Sequence, residues 1–341
     1  MKIYEKPLFF EKNRVYRVYT GGKLLGEFVG DGSEDGYYPE EWIASSVEAM
    51  PVDGEPEKAG VSKIEGTDVY LDQLIKEHKS EILGSKNELG VLVKFLDSAI
   101  RLPIQAHPDK AFSRKYFSSD HGKEESWIIL GKREGGCIYF GFDEKVTRED
   151  FAKAIEESAT NKSVMEPLLV RREVEVGDVV FVPAKAVHAI GAGCLILEIQ
   201  EPTDFTIQPE YWCGDTPLSN EVMYLGLDKE TALDCFDFSP ITDFKVIPKV
   251  VEEKDEIKIE ALIDENLTQN FAVNRITLNN GPYIPQKDAA IYVITEGAGT
   301  ISGNGYQREL KQGDYFLMPH LAIGKFKIDG SLTIMECYSS N

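Results

Sequence analysis

A short segment that occurs twice in the chain constrains the fold more than any other feature. Gly177–Pro183 reads Gly-Asp-Val-Val-Phe-Val-Pro, and Gly313–Pro319 repeats the pattern as Gly-Asp-Tyr-Phe-Leu-Met-Pro. A tight turn followed by a short apolar strand that ends at proline is a repeated unit of double-stranded β-helix barrels. At 341 residues the chain is long enough for about two or three packed cores. The recurrence therefore predicts a mainly β protein with two jelly-roll barrels and a small helical segment.

The region between the two copies is where we expect the domain boundary. Residues 217–235 contain two helix-like segments, and Glu252–Glu256 is a run of charged residues that we interpret as solvated. We place the boundary near Ser239-Pro240, which divides the chain into units 1–239 and 240–341. Further helices are predicted over Tyr70–Leu83, from Asp109 to about Phe117, and after the capping box that begins at Thr147.

A candidate metal site is dispersed over three segments of the chain. Gln105 and His107 are alternate residues of a predicted strand, so a period of two places both side chains on one face. Glu125 comes shortly before an apolar run, and His188 lies five residues beyond Pro183. Two imidazoles, one carboxylate and one amide oxygen form a ligand set that leaves room for water or substrate. These residues predict a catalytic metal site, with zinc as the first candidate.

Composition restricts the classes of partner. The formal net charge of −21 argues against nucleic acid, because binding to phosphates requires clustered lysine and arginine. It also argues against anionic membrane surfaces, and no stretch approaches the ~18 apolar residues of a spanning helix. A phosphorylated sugar is still compatible with this charge where a few basic residues are focused locally.

Cysteine usage and the N-terminus predict the compartment. The five cysteines are scattered without a C-x-x-C pair, which favours reduced thiols over a disulfide framework. They are Cys137, Cys194, Cys213, Cys235 and Cys337. The first residues of the chain contain no apolar region of the kind found in secretory signals. We therefore expect a soluble, cytoplasmic protein, either a monomer or a homodimer.

Three motifs carry a resemblance to a known family. They are Gln105-Ala-His-Pro-Asp109, Gly122-Lys-Glu-Glu-Ser-Trp127 and Pro183-Ala-Lys-Ala-Val-His-Ala-Ile-Gly-Ala-Gly193. In this order they resemble the Q-x-H-P-D, G-K-x-E-x-W and P-A-x-x-V-H-A-I-G-x-G motifs of the type I mannose-6-phosphate isomerases, in the cupin superfamily and closest to the short bacterial form. A single histidine in a strand is more often a structural residue than a ligand, but here three segments support one another.

The resemblance implies both an activity and a ligand set. The implied enzyme is a zinc-dependent aldose-ketose isomerase that interconverts mannose 6-phosphate and fructose 6-phosphate through an enediol. It implies one zinc ion per chain, bound by Gln105, His107, Glu125 and His188.

Two lysines gain a role through the same resemblance. Lys123 lies two residues before Glu125, which would place it on the same strand face, near the metal. A lysine whose pKa is lowered by burial beside a cation can transfer protons, whereas without the resemblance an exposed strand lysine is an equally good interpretation. Lys94 interrupts an apolar run, so it is either a charge at a strand edge or a cation near the site. The family has a lysine at this place, and the resemblance therefore favours a role in positioning substrate.

The segment after the last ligand departs from the family. Asp204 matches an aspartate of the family and is implied in proton transfer, but Gln208 stands where the family has an arginine that acts on the enediol. An amide can donate a hydrogen bond, but it cannot supply a positive charge to an enediolate. We therefore keep Gln208 as a candidate catalytic residue that would stabilise the enediolate less than an arginine does. Three explanations are open. Arg171 or Arg172 replaces that arginine in space, the sugar is a different and unphosphorylated one, or the protein binds metal and sugar with weak or no turnover.

Two other classes of function are also open. A non-catalytic, metal- and sugar-binding cupin fits Gln208 and the second copy of the repeat, where Gly324 stands in place of the histidine ligand. We therefore expect no metal site in the C-terminal unit and interpret His320 as structural. An iron-dependent cupin oxygenase is the third class, and the amide ligand argues against it.

Overall fold

The structure, a computed structural model that describes residues 2–340, is mainly β, as the sequence predicts. Its strands form two systems of sheets that follow one another along the chain. The strands of the first system are β1 (Arg14–Val15), β2 (Glu40–Ile43), β3 (Leu92–Ser98), β4 (Glu125–Lys132), β5 (Cys137–Phe142), β6 (Leu169–Glu173), β7 (Val179–Val182), β8 (His188–Ile190), β9 (Cys194–Gln200), β10 (Trp212–Cys213) and β11 (Thr216–Pro217). Those of the second system are β12 (Lys249–Lys254), β13 (Ile257–Ile263), β14 (Phe271–Tyr283), β15 (Ala290–Gly303), β16 (Tyr306–Lys311), β17 (Tyr315–Met318) and β18 (Lys327–Ser339).

The α-helices of the described residues are short and belong to the first part of the chain. They are α1 (Lys23–Val29), α2 (Leu71–Glu77), α3 (Lys79–Leu83), α4 (Lys110–Tyr116), α5 (Arg148–Ser158), α6 (Asn220–Tyr224) and α7 (Lys229–Leu233). Single 3-10 turns occur at Ile3–Glu5, Glu166–Leu168 and His320–Ala322. Within residues 2–340, no helix combines the length and the apolar character that crossing a membrane would require.

The predicted helices are confirmed with one change. Asp109 caps α4 by accepting a hydrogen bond from the amide of Phe112 (2.7 Å), and Thr147 caps α5 in the predicted capping box. The single helix expected over Tyr70–Leu83 is wrong, because it breaks at His78, whose backbone (φ −134°, ψ 46°) is not helical. The His78 ring packs on Tyr4 with 4.4 Å between ring centroids, so this histidine is structural.

Two facing sheets enclose the core of the first system. One has the order β1-β2-β3-β9-β4-β7 and the other β6-β5-β8, with all named pairs antiparallel. Apolar residues of both sheets, among them Trp127, Ile196, Ile138 and Phe140, pack between them together with residues of α5 to α7. This inner space contains the candidate site described below.

The second system is a curled sheet with its own core. Its order is β12-β13-β14-β18-β15-β16, and β17 pairs with β15. Residues such as Tyr292, Phe316 and Phe326 fill its interior. A separate apolar cluster joins its outer face to the back of the first sheet, with Phe95 and Leu197 on one side and Val273 and Ile291 on the other. The charge run that begins at Glu252 occupies the end of the edge strand β12 and the turn after it, and it is largely exposed, as predicted.

Candidate metal centre and cavity

The candidate site occupies the polar end of the inner face of the first sheet. β3, β9 and β4 are neighbours in this sheet. On each of them, a polar residue lies two positions from a core residue, so the period of two places both on one face. The pairs are Lys94 with Leu96, Glu198 with Ile196, and Glu125 with Trp127. The sheet register also places Glu198 directly opposite both Lys94 and Trp127, which forms a row across the strands.

Three of the predicted ligands converge on one point. The ligand atoms of His107, Glu125 and His188 lie within 4.8 Å of one another, and all three side chains are buried. Nε2 of His107 is 3.1 Å from one Glu125 oxygen, and Nε2 of His188 is 3.4 Å from the other. Gln105 joins them, since its Nε2 lies 3.3 Å from Nε2 of His188. A rotation of this amide by half a turn would present its oxygen at the same place.

Gln105 is not part of a regular strand, and the prediction of one was wrong. It forms an isolated bridge with His188, in which each backbone amide donates to the other's carbonyl at 2.9 Å. Pro103 and Pro108 flank the segment and lack the amide hydrogen that a continuous ladder needs. Gln105 and His107 nevertheless present their side chains to the same site.

Backbone carbonyls fix the orientation of both imidazoles. Nδ1 of His107 lies 3.0 Å from the carbonyl oxygen of Phe205, and Nδ1 of His188 lies 2.9 Å from that of Ala186. Since a carbonyl only accepts, each Nδ1 carries the hydrogen and each Nε2 keeps a lone pair for a cation. Burial lowers the pKa of His107 to about 3, with a further lowering by Lys123, and burial also lowers the pKa of His188. Both rings are therefore neutral at physiological pH.

The donor set fits a divalent metal ion. Oε2 of Glu125 is buried and accepts no hydrogen bond of good geometry, although Nε2 of His107 (3.1 Å) and Nζ of Lys123 (3.2 Å) lie close to it, so it keeps a lone pair for a metal ion. Burial alone would raise the pKa of Glu125, but Lys123 and His107 hold this pKa well below its usual range, so the carboxylate is charged. Neutral imidazoles, a carboxylate and an amide oxygen suit zinc and similar borderline ions.

Lys123 lies against the metal ligands, although not through the strand geometry that we expected. β4 begins only at Glu125, so Lys123 precedes the strand. Its amide donates to the carbonyl of Pro108 (2.9 Å), which holds the segment in place. Nζ of Lys123 is then 2.9 Å from Nε2 of His107 and 3.2 Å from Oε2 of Glu125.

Lys94 is a buried cation inside the sheet that lines the cavity, and not a charge at a strand edge; its role towards substrate stays a prediction. Its Nζ lies 3.3 Å from Glu198 and 3.7 Å from Glu40, and only 5% of the side chain is exposed. Burial alone would lower the pKa of Lys94, but Glu198 and Glu40 raise it. Burial also raises the pKa of Glu198, although Lys94 opposes this effect.

The residues that follow the last ligand reach the cavity wall. One Asp204 oxygen accepts from Arg17 (3.3 Å) and the other from the amide of Met50 (3.0 Å). Gln208 also lines the cavity, and its Nε2 donates to the carbonyl of Val222 at 3.4 Å. Asp204 and Gln208 therefore both lie at the cavity wall, and their roles stay predictions.

The proposal that Arg171 or Arg172 replaces the missing arginine is wrong. Arg171 pairs with Glu173, and Arg172 donates to the carbonyl of Ile241 (2.9 Å); neither lines the cavity. Both lie on β6, in the sheet opposite the candidate metal ligand Glu125, and β6 is an edge strand of that sheet.

The sequence analysis missed a cluster of charged residues on the cavity floor. Arg17 contacts Glu40 through Nε (3.0 Å), and Glu40 also accepts from the indole of Trp42 (2.7 Å) and from Tyr19. Trp42 is fully buried. The sequence does contain a signal for this cluster that was not used. Glu40 and Glu41 stand directly before a tryptophan in a short strand, where two adjacent carboxylates are unusual.

The cavity next to the candidate metal ligands has a volume of about 450 Å³. Gln105, Glu125 and Lys123 form part of its wall, and Met50, Val52, Val222 and Leu225 contribute apolar surface. Its size is that of a pocket for a small ligand, with a few polar groups to orient it.

Two family models match this chain. The model described as "Phosphomannose isomerase type I, catalytic domain" matches residues 34–139, and the one described as "Mannose-6-phosphate isomerase, cupin domain" matches residues 265–339. The first includes Gln105, His107 and Glu125, and the second covers most of the C-terminal sheet system.

Similar proteins extend over nearly the whole chain. "Probable mannose-6-phosphate isomerase GmuF" of Bacillus subtilis is 28% identical and aligns with 96% of this chain and 98% of its own length. The mannose-6-phosphate isomerase of Streptococcus mutans is 27% identical, over 98% of this chain and 99% of its own. The crystal structure of the mannose 6-phosphate isomerase from Bacillus subtilis has the same fold, with a TM-score of 0.78 at 23% identity, and covers 97% of this chain and 99% of its own.

Proposed function

We propose that this chain, which belongs to the type I mannose-6-phosphate isomerases of the cupin superfamily, interconverts mannose 6-phosphate and fructose 6-phosphate with one bound zinc ion. The observation that carries the proposal is the convergence of His107, Glu125 and His188 beside Gln105, at the wall of a cavity large enough for a sugar phosphate. The names of its relatives supply the substrate.

The reaction moves one hydrogen and one carbonyl group. A base removes the proton from C2 of the aldose, the electron pair of that bond forms the C1–C2 double bond, and the C1 oxygen becomes an enediolate oxygen. The proton of the C2 hydroxyl then passes to the C1 oxygen, which becomes the C1 hydroxyl group. The base returns its proton to C1, and C2 becomes the carbonyl carbon of the ketose. Zinc in this site would supply Lewis-acid polarisation of the two sugar oxygens.

The residues of this chain have separate tasks in the proposal. Lys123 and Asp204 move protons, because both have polar atoms at the cavity wall and Lys123 lies against the metal ligands. Lys94 orients the sugar through a fixed positive charge on the cavity floor. Gln208 donates a hydrogen bond from its amide but brings no charge.

We also propose a cytoplasmic location and a monomer or homodimer as the active form. The five cysteines are free and buried, which supports a reduced protein whose thiols serve packing.

The test is a coupled assay that follows fructose 6-phosphate from mannose 6-phosphate. Protein stripped of metal and the same protein reloaded with zinc are compared, with the His107→Ala variant and with free mannose as a second substrate. We expect turnover of the phosphorylated sugar by the zinc-loaded protein alone, reduced by at least about 100-fold in the variant, because the loss of a ligand removes metal and Lewis acid together.

A second function is favoured by one observation, the neutral amide of Gln208 in the cavity wall. It is a metal- and sugar-binding cupin with weak or altered activity. In this case the zinc-loaded protein binds sugar phosphate, seen as a rise in melting temperature, but forms no fructose 6-phosphate. That result would overturn the isomerase proposal.

A further inference from the structure

Arg17 is a cation that the structure holds rigidly in the cavity wall. It follows β1, and 14% of its side chain is exposed. Nε contacts Glu40 at 3.0 Å and Nη2 contacts Asp204 at 3.3 Å. The guanidinium also lies over the ring of Trp42, with 5.2 Å to the ring centroid. Burial alone would lower the pKa of Arg17, but Asp204 and Glu40 raise it, so the charge is permanent.

Its contacts leave part of the guanidinium for a ligand. Nε and Nη2 make the carboxylate contacts, whereas Nη1 makes no hydrogen bond to a described residue, and Arg17 lines the cavity. Glu40, which contacts Arg17, is itself fixed in place, because it also accepts hydrogen bonds from the indole of Trp42 and the hydroxyl of Tyr19. The group therefore needs little reorganisation when a substrate enters.

The two lysines of the cavity wall already have other tasks in the proposed function. Lys123 lies against His107 and Glu125 at the metal ligands. Lys94 lies between Glu40 and Glu198, with 5% of its side chain exposed. Arg17 is the only arginine among the described residues that line the cavity. Its planar guanidinium can bind two adjacent oxygens better than the ammonium group of a lysine can.

An enediolate places negative charge on two neighbouring oxygens, and fixed donors that face this charge lower the barrier. We propose that Arg17 is a catalytic residue whose Nη1 donates to the enediolate, and that it supplies from the N-terminal part of the chain the positive charge that Gln208 cannot supply. Glu40 is a positioning residue for Arg17. The inference rests on the proposed function, because it assigns a role within that reaction.

The chain offers a matched control in Arg14. Like Arg17, it lies between two carboxylates, at 3.0 Å from Asp31 and 2.8 Å from Glu41, and 16% of its side chain is exposed. It does not line the cavity. The variants Arg17→Gln and Arg14→Gln therefore remove the same charge from similar surroundings, and they differ in access to the substrate.

The experiment measures kcat and KM for mannose 6-phosphate, zinc content and melting temperature for both variants. We expect Arg17→Gln to lower kcat by roughly 100- to 1,000-fold with full zinc content, as for the loss of one donor to a developing oxyanion. Arg14→Gln should keep kcat within about threefold of the unmodified protein, because Arg14 does not line the cavity and its loss from a buried ion pair affects stability.

Chemical rescue separates catalysis from a structural role. Guanidinium chloride at a concentration well below denaturation should restore part of kcat to Arg17→Ala in a saturable manner, and sodium chloride at equal ionic strength should not. An active protein in which Arg17→Gln behaves like Arg14→Gln, or in which both salts act alike on Arg17→Ala, would overturn this inference alone. An unmodified, zinc-loaded protein without turnover would overturn the proposed function and the role of Arg17 together.

Discussion

The two histidines of the site show how single side chains are prepared for a metal before it binds. Each has its Nδ1 against a backbone carbonyl, that of Phe205 for His107 and that of Ala186 for His188. The ring orientation is therefore set by the backbone and does not depend on a neighbouring side chain. The ligand residue types are predictable from the motifs. The carbonyl of Phe205 is not, because it comes from a segment 98 residues away.

The buried cysteines give a prediction for stability against pH. Burial raises the pKa of Cys194 and of Cys213 to about 12, whereas an unfolded thiol has a pKa of about 8.5. A group whose pKa is raised by folding stabilises the protein below its unfolded pKa, and this contribution is lost as pH rises towards the folded value. We expect the free energy of unfolding in urea to fall between pH 7.5 and 9.5, by about 1 kcal/mol for each such thiol.

Cys213→Ala provides the control for this effect. The variant should be less stable at pH 7.5 because its core loses volume, but its fall between the two pH values should be smaller by about 1 kcal/mol. An equal fall in the variant and the unmodified protein would show that Cys213 does not keep its thiol protonated through burial.

Arg17 and Glu40 show where prediction from residues ends. Neither stands in one of the three motifs, and Arg17 reaches Asp204 across 187 residues of sequence. Lys94 was identified only as one of two alternatives. Its burial follows from the position of β3 inside the sheet, between β2 and β9, and strand order cannot be read from local spacing.

At the scale of elements, the segment before β4 matters more than the strand itself for the position of Lys123. The motifs predicted a strand that carries both Lys123 and Glu125, but the strand begins at Glu125. Backbone contacts hold the preceding residues instead. Lys123 donates to the carbonyl of Pro108, and the carbonyl of Gly122 accepts from the hydroxyl of Thr203 at 2.8 Å. These tertiary contacts hold the segment in place of the hydrogen bonds of a sheet. The alternation of residues in the sequence does not show that such contacts exist.

Gly122 allows this segment to pack so closely. A Cβ at this position would lie 2.7 Å from the carbonyl oxygen of Pro108 and 3.1 Å from a side-chain oxygen of Glu201. Gly122→Ala should therefore displace Lys123, lower kcat by at least about 10-fold and lower the free energy of unfolding by about 1–3 kcal/mol. Kinetics with mannose 6-phosphate and urea unfolding check both parts.

Gly36→Ala is the matched control, because nothing lies within 4 Å of the added Cβ. It should leave kcat and stability close to those of the unmodified protein. If Gly122→Ala behaved in the same way, the close packing of this segment would not determine the position of Lys123.

At the scale of the whole molecule, the two sheet systems meet close to the candidate metal ligands. Glu124 accepts hydrogen bonds from Thr268 (2.6 Å) and Asn270 (2.8 Å), which belong to the C-terminal part of the chain. The repeated turn and strand predicted two β units. The contact between them, and the cluster behind the first sheet, depend on surfaces that come together only in the folded chain. The division near Ser239-Pro240 stays a prediction.

Two adjacent glutamates have different surroundings. Glu124 contacts the C-terminal unit, whereas Glu125 lies beside His107 in the candidate metal site. The most direct test of the account compares Glu125→Ala with Glu124→Ala for zinc content and for turnover of mannose 6-phosphate in the same preparations. We predict that Glu125→Ala loses zinc and turnover together, by at least about 100-fold in kcat, because a buried anionic ligand is removed. Glu124→Ala should retain both and lose only stability. A Glu125→Ala protein without zinc that converts the sugar at the unmodified rate would contradict the account.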